Sequence, residues 1–319
     1  MAFGIKHLAG IVTAVSLLTF AAVQTAADEK EYTDTNGDKF SYAVSYSGIK
    51  LTLVEDNGDG IVNVPKTIDG KPVYHFSSTA QFSTLNAKDC SSLNTIYLSG
   101  NGLKDISLGG CTGLKTFTCA YNIKLRKLDM SGCSSLNNLI CTGNDLASLI
   151  LEGCSALTSI DCHSNKIGEL DVSDCPNLFE LNCSYNAISA IDLSKNTSLT
   201  KFCCSHSNLK SIDLSKNTKL KHLDLEDCFL TGIDLSKNTS LEELDLTNNK
   251  IGKIDLKNNT GLTVLYLENT GLTELDLSSF SKLTTLRVSD NSLTNLDLSK
   301  NTSLTSFTCN NNITIAGFV

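Results

Sequence analysis

The sequence of 319 residues predicts a curved repeat solenoid, mostly β, with a parallel sheet on its concave side. Three observations support this fold class. Leucine recurs with a period of 21 residues, each repeat contains a short stretch of alternating apolar residues, and a polar residue follows that stretch at a fixed position. A period of this length is typical of a chain wound into stacked coils, each of which contacts only its neighbours.

The period is regular along most of the chain. Every step is 21 residues except the second, which carries one extra residue near residues 123–125. The fifth repeat, residues 178–198, reads LFELNCSYNAISAIDLSKNTS. Its first half matches the leucine-rich-repeat pattern L-x-x-L-x-L-x-x-N/C-x-L, so we expect a leucine-rich-repeat horseshoe of about eleven coils. The repeats begin at Leu93, Leu114, Leu136, Leu157, Leu178, Leu199, Leu220, Leu241, Leu262, Leu283 and Leu304.

Each half of the repeat predicts a different side of the coil. The alternating segment L-x-C predicts a short strand with both apolar side chains pointing into the core. The polar residue that follows it, Asn186 in the fifth repeat, is expected to hydrogen-bond backbone groups where the coil turns. The second half, I-D-L-S-x-N, alternates again and predicts an extended convex side, because 21 residues leave little room for a long helix.

Most of the 13 cysteines fall on two rows of the repeat. One row replaces the second leucine of the strand, and the other lies near the end of the repeat. Free cysteine behaves as a small buried hydrophobe, and neighbours in a row are farther apart than a disulfide needs. We therefore expect a reduced cysteine ladder in the core, with a few disulfides between the rows as the alternative. The first row is Cys119, Cys141, Cys162, Cys183, Cys204 and Cys309; the second is Cys90, Cys111, Cys133, Cys154 and Cys175.

Domain organisation follows from the two ends of the repeat region. Residues 1–27 have a short polar start, an uncharged apolar run and small residues before Asp28, which is typical of a secretory signal peptide. Residues 28–92 are expected to form an N-terminal β cap and a degenerate first repeat, and residues 93–319 the leucine-rich-repeat solenoid. The sequence therefore predicts a secreted or cell-surface protein.

Charge and motif content limit the function classes. The net charge is −8 with no basic run, which argues against nucleic-acid binding, and the apolar run is too short for membrane insertion. The stretch EDNGDGIVN resembles the start of an EF-hand loop, but Lys66 stands where that loop needs its last glutamate. A turn explains it better, and neither a metal nor a cofactor is predicted.

The repeats also resemble a known family. Their pattern L-x-x-L-x-C-x-x-N-x-L-x-x-L-D-L-S is similar to that of bacterial internalins of the cysteine-ladder type, and residues 63–82, NVPKTIDGKPVYHFSSTAQF, resemble the lead-in of bacterial surface repeat proteins. The resemblance implies an exported adhesin or surface interaction protein without enzymatic activity in the repeats. The wall-anchoring signal and immunoglobulin-like modules of internalins are not found in this sequence.

The concave face is the candidate functional surface. Outward positions around each strand differ in chemistry from repeat to repeat, whereas the convex positions are nearly identical. Tyrosine is a favoured interface residue, so we expect this face to bind an extracellular protein or a glycan. An unselected solvated face is the alternative. The candidate binding residues are Tyr97, Tyr121, Asp161, His163, Tyr185, Cys203, His206, His222, Asp224, Asp227, Asp245 and Tyr266.

Three further interpretations remain open at this point. The stretch FCCSHSN, residues 202–208, could hold a thiol-dependent or metal site around Cys203, but an open sheet face offers no pocket for one. In the repeat register Cys204 and Ser207 point inward, whereas Cys203 and His206 face outward, so Cys203 is predicted to be the solvent-facing, reactive thiol. A structural or self-assembling surface role is the second interpretation. The third is a dimer formed through Cys203 or through an uncapped C-terminal coil.

Overall fold

The structure is a computed structural model that describes residues 29–312. The predicted signal peptide, residues 1–27, and the last stretch of the predicted uncapped coil, residues 313–319, lie outside this range. Among the described residues, all regular secondary structure is β-strand, and no helix could cross a membrane.

An antiparallel meander begins the described chain. It comprises β1 (Lys30–Thr33), β2 (Lys39–Ser45) and β3 (Gly48–Glu55), and β3 then pairs in parallel with β6 (Lys71–Ser78). The apolar residues of β2 and β3 alternate, so that Leu51 and Leu53 point into the core of the solenoid. This arrangement covers the first coil with strand backbone instead of leaving its core open. The short strand β5 (Thr67–Ile68) pairs with β6, and β4 is Ile61–Asn63.

One parallel sheet lines the concave side from β6 to the last described coil. It contains twelve parallel strands from β6 onward, and the repeats that begin at Leu93 contribute eleven of them, in agreement with the predicted horseshoe. Its strands are β8 (Thr95–Ser99), β10 (Thr116–Ala120), β12 (Asn138–Ile140), β14 (Ser159–Asp161), β15 (Glu180–Asn182), β16 (Lys201–Cys203), β17 (His222–Asp224), β18 (Glu243–Asp245), β19 (Val264–Tyr266), β20 (Thr285–Arg287) and β21 (Ser306–Thr308).

The convex side is extended, as predicted, but strands form only in its first coils. They are β7 (Thr84–Asn86) and β9 (Asp105–Ser107), which join β4 in a three-stranded sheet, and β11 (Lys127–Asp129) and β13 (Ser148–Ile150), which pair with each other. In later described coils this side consists of turns. The aspartate of I-D-L-S caps each turn, because its Oδ1 accepts the N–H of the residue two positions later, as Asp192 does from Ser194 at 2.8 Å.

Leucines and cysteines fill the interior. All 13 cysteines are free thiols, and only Cys309 is not fully buried, which is the reduced ladder expected from the repeat register. The second cysteine row also bonds the backbone, since Cys111 donates its S–H to the carbonyl of Ala87 at 3.0 Å. In later coils an asparagine takes this position and makes the same kind of link: Asn196 Nδ2 donates to Val172 O at 3.0 Å. The row therefore combines a packing role with a polar one.

A ladder of asparagines holds the turn that follows each concave strand. Asn249, only 2% exposed, is representative. Its Nδ2 donates to the carbonyls of Leu225 (2.8 Å) and Leu246 (2.9 Å), and its Oδ1 accepts the N–H of Leu230 (2.9 Å). One side chain thus joins two adjacent coils and satisfies backbone groups that no strand or helix could pair.

Replacing Asn249 by alanine tests this role. We expect Asn249→Ala to lower the free energy of unfolding by about 3 kcal/mol, because it leaves several buried backbone groups without partners. Asn249→Thr should cost less, since Thr270 occupies the same position in the next coil and its Oγ1 donates to Leu267 O at 2.7 Å. The urea midpoints of the wild type and both variants measure the effect. An alanine variant as stable as the wild type would contradict the assignment.

Candidate functional site

The register of the parallel sheet places the outward residues of successive strands side by side. The middle outward position forms one continuous row in which Asp161, Asn182, Cys203, Asp224 and Asp245 are neighbours. Adjacent strands lie about 4.8 Å apart, so the side chains of this row stand close together. The row continues to Tyr266 and Arg287.

A groove of about 240 Å³ lies on this face across β15 to β19. It brings together five of the predicted binding residues: Cys203, His222, Asp224, Asp245 and Tyr266. The remaining predicted residues lie outside it. The groove is also lined by Glu180, Thr200, Lys201, Lys221, Leu223, Glu243, Leu244 and Val264.

Two carboxylates of like charge occupy neighbouring strands in the groove. Asp224 and Asp245 are paired in register, and each accepts the N–H two residues later, that of Glu226 at 3.1 Å and that of Thr247 at 2.9 Å. Burial raises the pKa of Asp224. Burial, together with the charge of Asp224, raises the pKa of Asp245 to about 6. In the described part of the chain neither carboxylate forms an ion pair.

Cationic side chains near the pair are engaged with other partners. Lys221 Nζ lies 2.8 Å from Glu242, and His222 Nδ1 lies 3.0 Å from Glu243. The guanidinium of Arg287 stacks over the ring of Tyr266, with its Cζ 4.8 Å from the ring centroid. None of these three cations forms an ion pair with Asp224 or Asp245, although the side chain of Ser205 hydrogen-bonds Asp224.

A second cluster lies at the edge of the sheet where the strands end. The rings of Tyr185 and His206 stack with their centroids 4.3 Å apart, and His206 Nδ1 lies 3.1 Å from Asp227 Oδ2. Tyr185 remains 52% exposed. The stack presents an aromatic face and an acidic group next to the groove. His206 faces outward, as predicted.

Tyr185, His206 and Asp227 occupy the same position in successive coils, and we call the residues at this position the edge row. Every residue of the edge row has a left-handed backbone. Tyr121, Tyr185 and His206 have φ of 56°, 54° and 51°. Other coils use residues suited to that conformation at the same position, such as Gly100 and Asn248. A tyrosine or histidine with positive φ carries a steric cost that glycine avoids and asparagine bears more easily.

The other predicted residues lie towards the N-terminal coils. Tyr97 is 36% exposed and Tyr121 64%. The ring of Tyr121 lies over Gly143, where an added Cβ would come within 2.6 Å of it. Asp161 Oδ1 and His163 Nδ1 are 2.7 Å apart, and this hydrogen bond raises the pKa of His163.

One prediction is wrong. Cys203, expected to be the solvent-facing and reactive thiol, is only 4% exposed, and burial raises its pKa to about 12. It lies on the outward side of its strand, flanked in the row by Asn182 and Asp224. A dimer disulfide or a thiol-dependent site at Cys203 has no support from this geometry. Cys204 and Ser207 are buried, as the register predicted.

The arrangement suits recognition by contact. It offers exposed rings, carboxylates and a shallow groove on a rigid sheet, which are the elements of a binding surface. Among residues 29–312, no group of three or more His, Cys, Asp or Glu side chains is placed to hold a metal ion.

Sequence reasoning did not include the other eight lining residues of the groove among the binding residues; Thr200, Lys221 and Val264 are three of them. Thr200 and Lys221 occupy the second position of the repeat and Val264 the third. The groove includes them because it is wider than the strand itself. Counting the position before each strand as part of the face would have found the first two.

Comparisons with known proteins agree with this fold. A model of leucine-rich repeats, described as two copies, matches residues 218–258, and no curated protein sequence matches the chain. The functional domain of InlJ from Listeria monocytogenes, which includes a cysteine ladder, is 27% identical with a TM-score of 0.69. That match covers 82% of this chain, which spans only 61% of the other.

Two further solved structures share the fold. A leucine-rich-repeat protein of Leptospira interrogans, LIC12759, is 18% identical with a TM-score of 0.63, covering 72% of this chain and 63% of the other. The internalin InlF of Listeria monocytogenes is 20% identical with a TM-score of 0.56, covering 74% and 79%. The chain is therefore a leucine-rich-repeat solenoid similar to internalins.

The acidic pair predicts an unusual pH dependence of stability. Because the pKa of Asp245 is higher in the fold than in the unfolded chain, its ionisation destabilises the fold. This penalty is absent below about pH 4 and complete above about pH 6, where it is on the order of 3 kcal/mol. Asp245→Asn should therefore raise the melting temperature at pH 7.5, and the gain should vanish near pH 4.

Asp213→Asn on the convex side is the matched control. Asp213 also caps a turn, but there the N–H of Ser215 lowers the pKa of the carboxyl. That substitution should give no gain at pH 7.5. Circular dichroism melts across the pH range measure both variants, and an Asp245→Asn variant that melts no higher than the wild type at pH 7.5 would rule out the penalty.

Proposed function

We propose that this chain is an exported, non-enzymatic binding protein that recognises a protein or glycan partner through its concave face. The observation that carries the proposal is the pair of tyrosines, Tyr121 and Tyr185, at left-handed positions of the edge row. Each accepts an unfavourable backbone conformation and still leaves its ring more than half exposed. A residue selected only for stability would bury the ring or be replaced by glycine or asparagine.

The surroundings of these rings fit recognition. Tyr185 stacks on His206, which in turn contacts Asp227, so the ring is held in place before a partner arrives. Fixed aromatic side chains supply contact area at little cost in conformational entropy, and they dominate the binding energy of many interfaces. The similarity to InlJ is consistent with such a role, and export is proposed from the predicted signal peptide.

Replacing both rings without harming the fold tests the proposal. Tyr121→Asn with Tyr185→Asn introduces the residue that Asn248 and Asn269 already place in this conformation. We expect the melting temperature to stay the same or rise. Affinity for a ligand found by screening glycan arrays and purified extracellular proteins should fall by at least about tenfold, measured by biolayer interferometry.

Phe229→Asn is the matched control. Phe229 also has a positive φ and is 59% exposed, but it lies two positions beyond the edge row. This variant should bind as the wild type does. The proposal fails if no member of either panel binds, or if the double tyrosine variant binds as tightly as the control.

A further inference from the structure

The like-charged pair Asp224 and Asp245 has no structural need to be charged. Both carboxylates accept a backbone N–H, but Asn182 accepts the N–H of Ser184 at 3.2 Å from the same row with a neutral side chain. Neutral residues would thus hold the turns without placing two negative charges on adjacent strands. The fold carries a cost that its own hydrogen bonds do not explain.

The groove around the pair has an excess of negative charge. Its charged lining comprises the four carboxylates of Glu180, Asp224, Glu243 and Asp245 against the two lysines Lys201 and Lys221. With His222 neutral, the formal charge is −2. Lys221 and His222 contact Glu242 and Glu243, not the aspartate pair. A shallow concavity lined by one sign of charge concentrates that field on a ligand of the opposite sign.

Tyr266 borders the aspartate pair in the same row. Its ring already lies against a guanidinium, that of Arg287 on the next strand, at 4.8 Å from the centroid. On its other side in the row stands Asp245. The ring thus lies between a cation of its own chain and the carboxylate of Asp245, at the end of the groove beside the pair.

We propose that the groove binds a lysine or arginine side chain of a protein partner, held between the carboxylates of Asp224 and Asp245 and beside the ring of Tyr266. This inference rests on the proposed function of the concave face and specifies the chemistry of its partner. An ammonium or guanidinium group pairs with both carboxylates and offsets their mutual repulsion. A neutral glycan has no positive charge to place there, so the groove selects a basic protein segment.

The probe is a fluorescein-labelled tetra-arginine peptide with blocked ends, and tetra-citrulline is its neutral analogue. The whole chain should bind the arginine peptide and not the citrulline peptide, as measured by fluorescence anisotropy. Asp224→Asn with Asp245→Asn should weaken binding by at least about tenfold. Asn182 indicates that the asparagines will keep the turns, and melting curves verify that the variant folds.

A convex double variant with the same change of net charge separates a site from general attraction. Asp213→Asn with Asp234→Asn removes two carboxylates that also cap turns, through the N–H groups of Ser215 and Ser236. Its binding should stay within about twofold of the wild type, since exposed charges beyond a Debye length are screened. Equal losses in both double variants, no loss in the groove variant, or no binding of arginine peptide by the wild type would each overturn the proposal.

These results are distinguishable from failure of the proposed function. One outcome is a partner that fails to bind the double tyrosine variant and still binds the Asp224→Asn, Asp245→Asn variant at wild-type affinity. In that case the concave face is the binding surface and the basic-segment proposal is wrong. If binding of the arginine peptide depends on Asp224 and Asp245 while the tyrosine substitutions weaken the binding of no ligand, the groove proposal is supported and the proposed role of the two tyrosines is wrong. A neutral glycan whose binding requires both aspartates would also overturn the proposal.

Discussion

The structure depends on one constraint: each coil must satisfy the backbone groups at its turns from inside. A coil of 21 residues has too few strand and helix hydrogen bonds to do this alone, so side chains complete the pairing. Asn249 and its equivalents join adjacent coils after each concave strand, and the Cys111 and Asn196 positions do the same farther along the repeat. These inward positions cannot vary freely. The outward positions of the concave strands need at most an acceptor for the N–H two residues later, which aspartate or asparagine supplies, and can otherwise vary.

This difference between inward and outward positions explains where the chain tolerates unfavourable features. Asp224 and Asp245 stand side by side with like charges, and Tyr121 and Tyr185 adopt left-handed backbones, all on the outward face. The same rows also hold residues without these costs, such as the neutral Asn182 in the middle row and Asn248 in the edge row. A stability margin built from many identical coils can absorb several such costs, because each coil adds its own interfaces. The costs cluster on the surface that we propose for recognition.

Much of this architecture could be predicted from the sequence, because the position of a residue within the 21-residue repeat determines whether its side chain faces the core or faces outward. It separated Cys204 and Ser207, which are buried, from His206, which faces outward. The same reasoning failed for Cys203, since alternation states which side a residue faces and not how far its neighbours cover it. Asn182 and Asp224 flank that thiol on a sheet whose strands lie about 4.8 Å apart, and the thiol is buried. The turn-capping bonds of residues such as Asp192 and the extent of the groove depend on contacts between coils, which a single repeat does not reveal.

The inward ladders determine the fold, and the outward concave row needs only side chains that can accept the N–H of the turn that follows. A chain in which five members of that row become asparagine, the residue already present at Asn182, tests it most directly. The substituted residues are Asp161, Cys203, Asp224, Asp245 and Tyr266. The account predicts a cooperative thermal transition at pH 7.5 with a melting temperature no lower than that of the wild type. A fall of more than about 10 °C, several kcal/mol for a chain of this size, would contradict it.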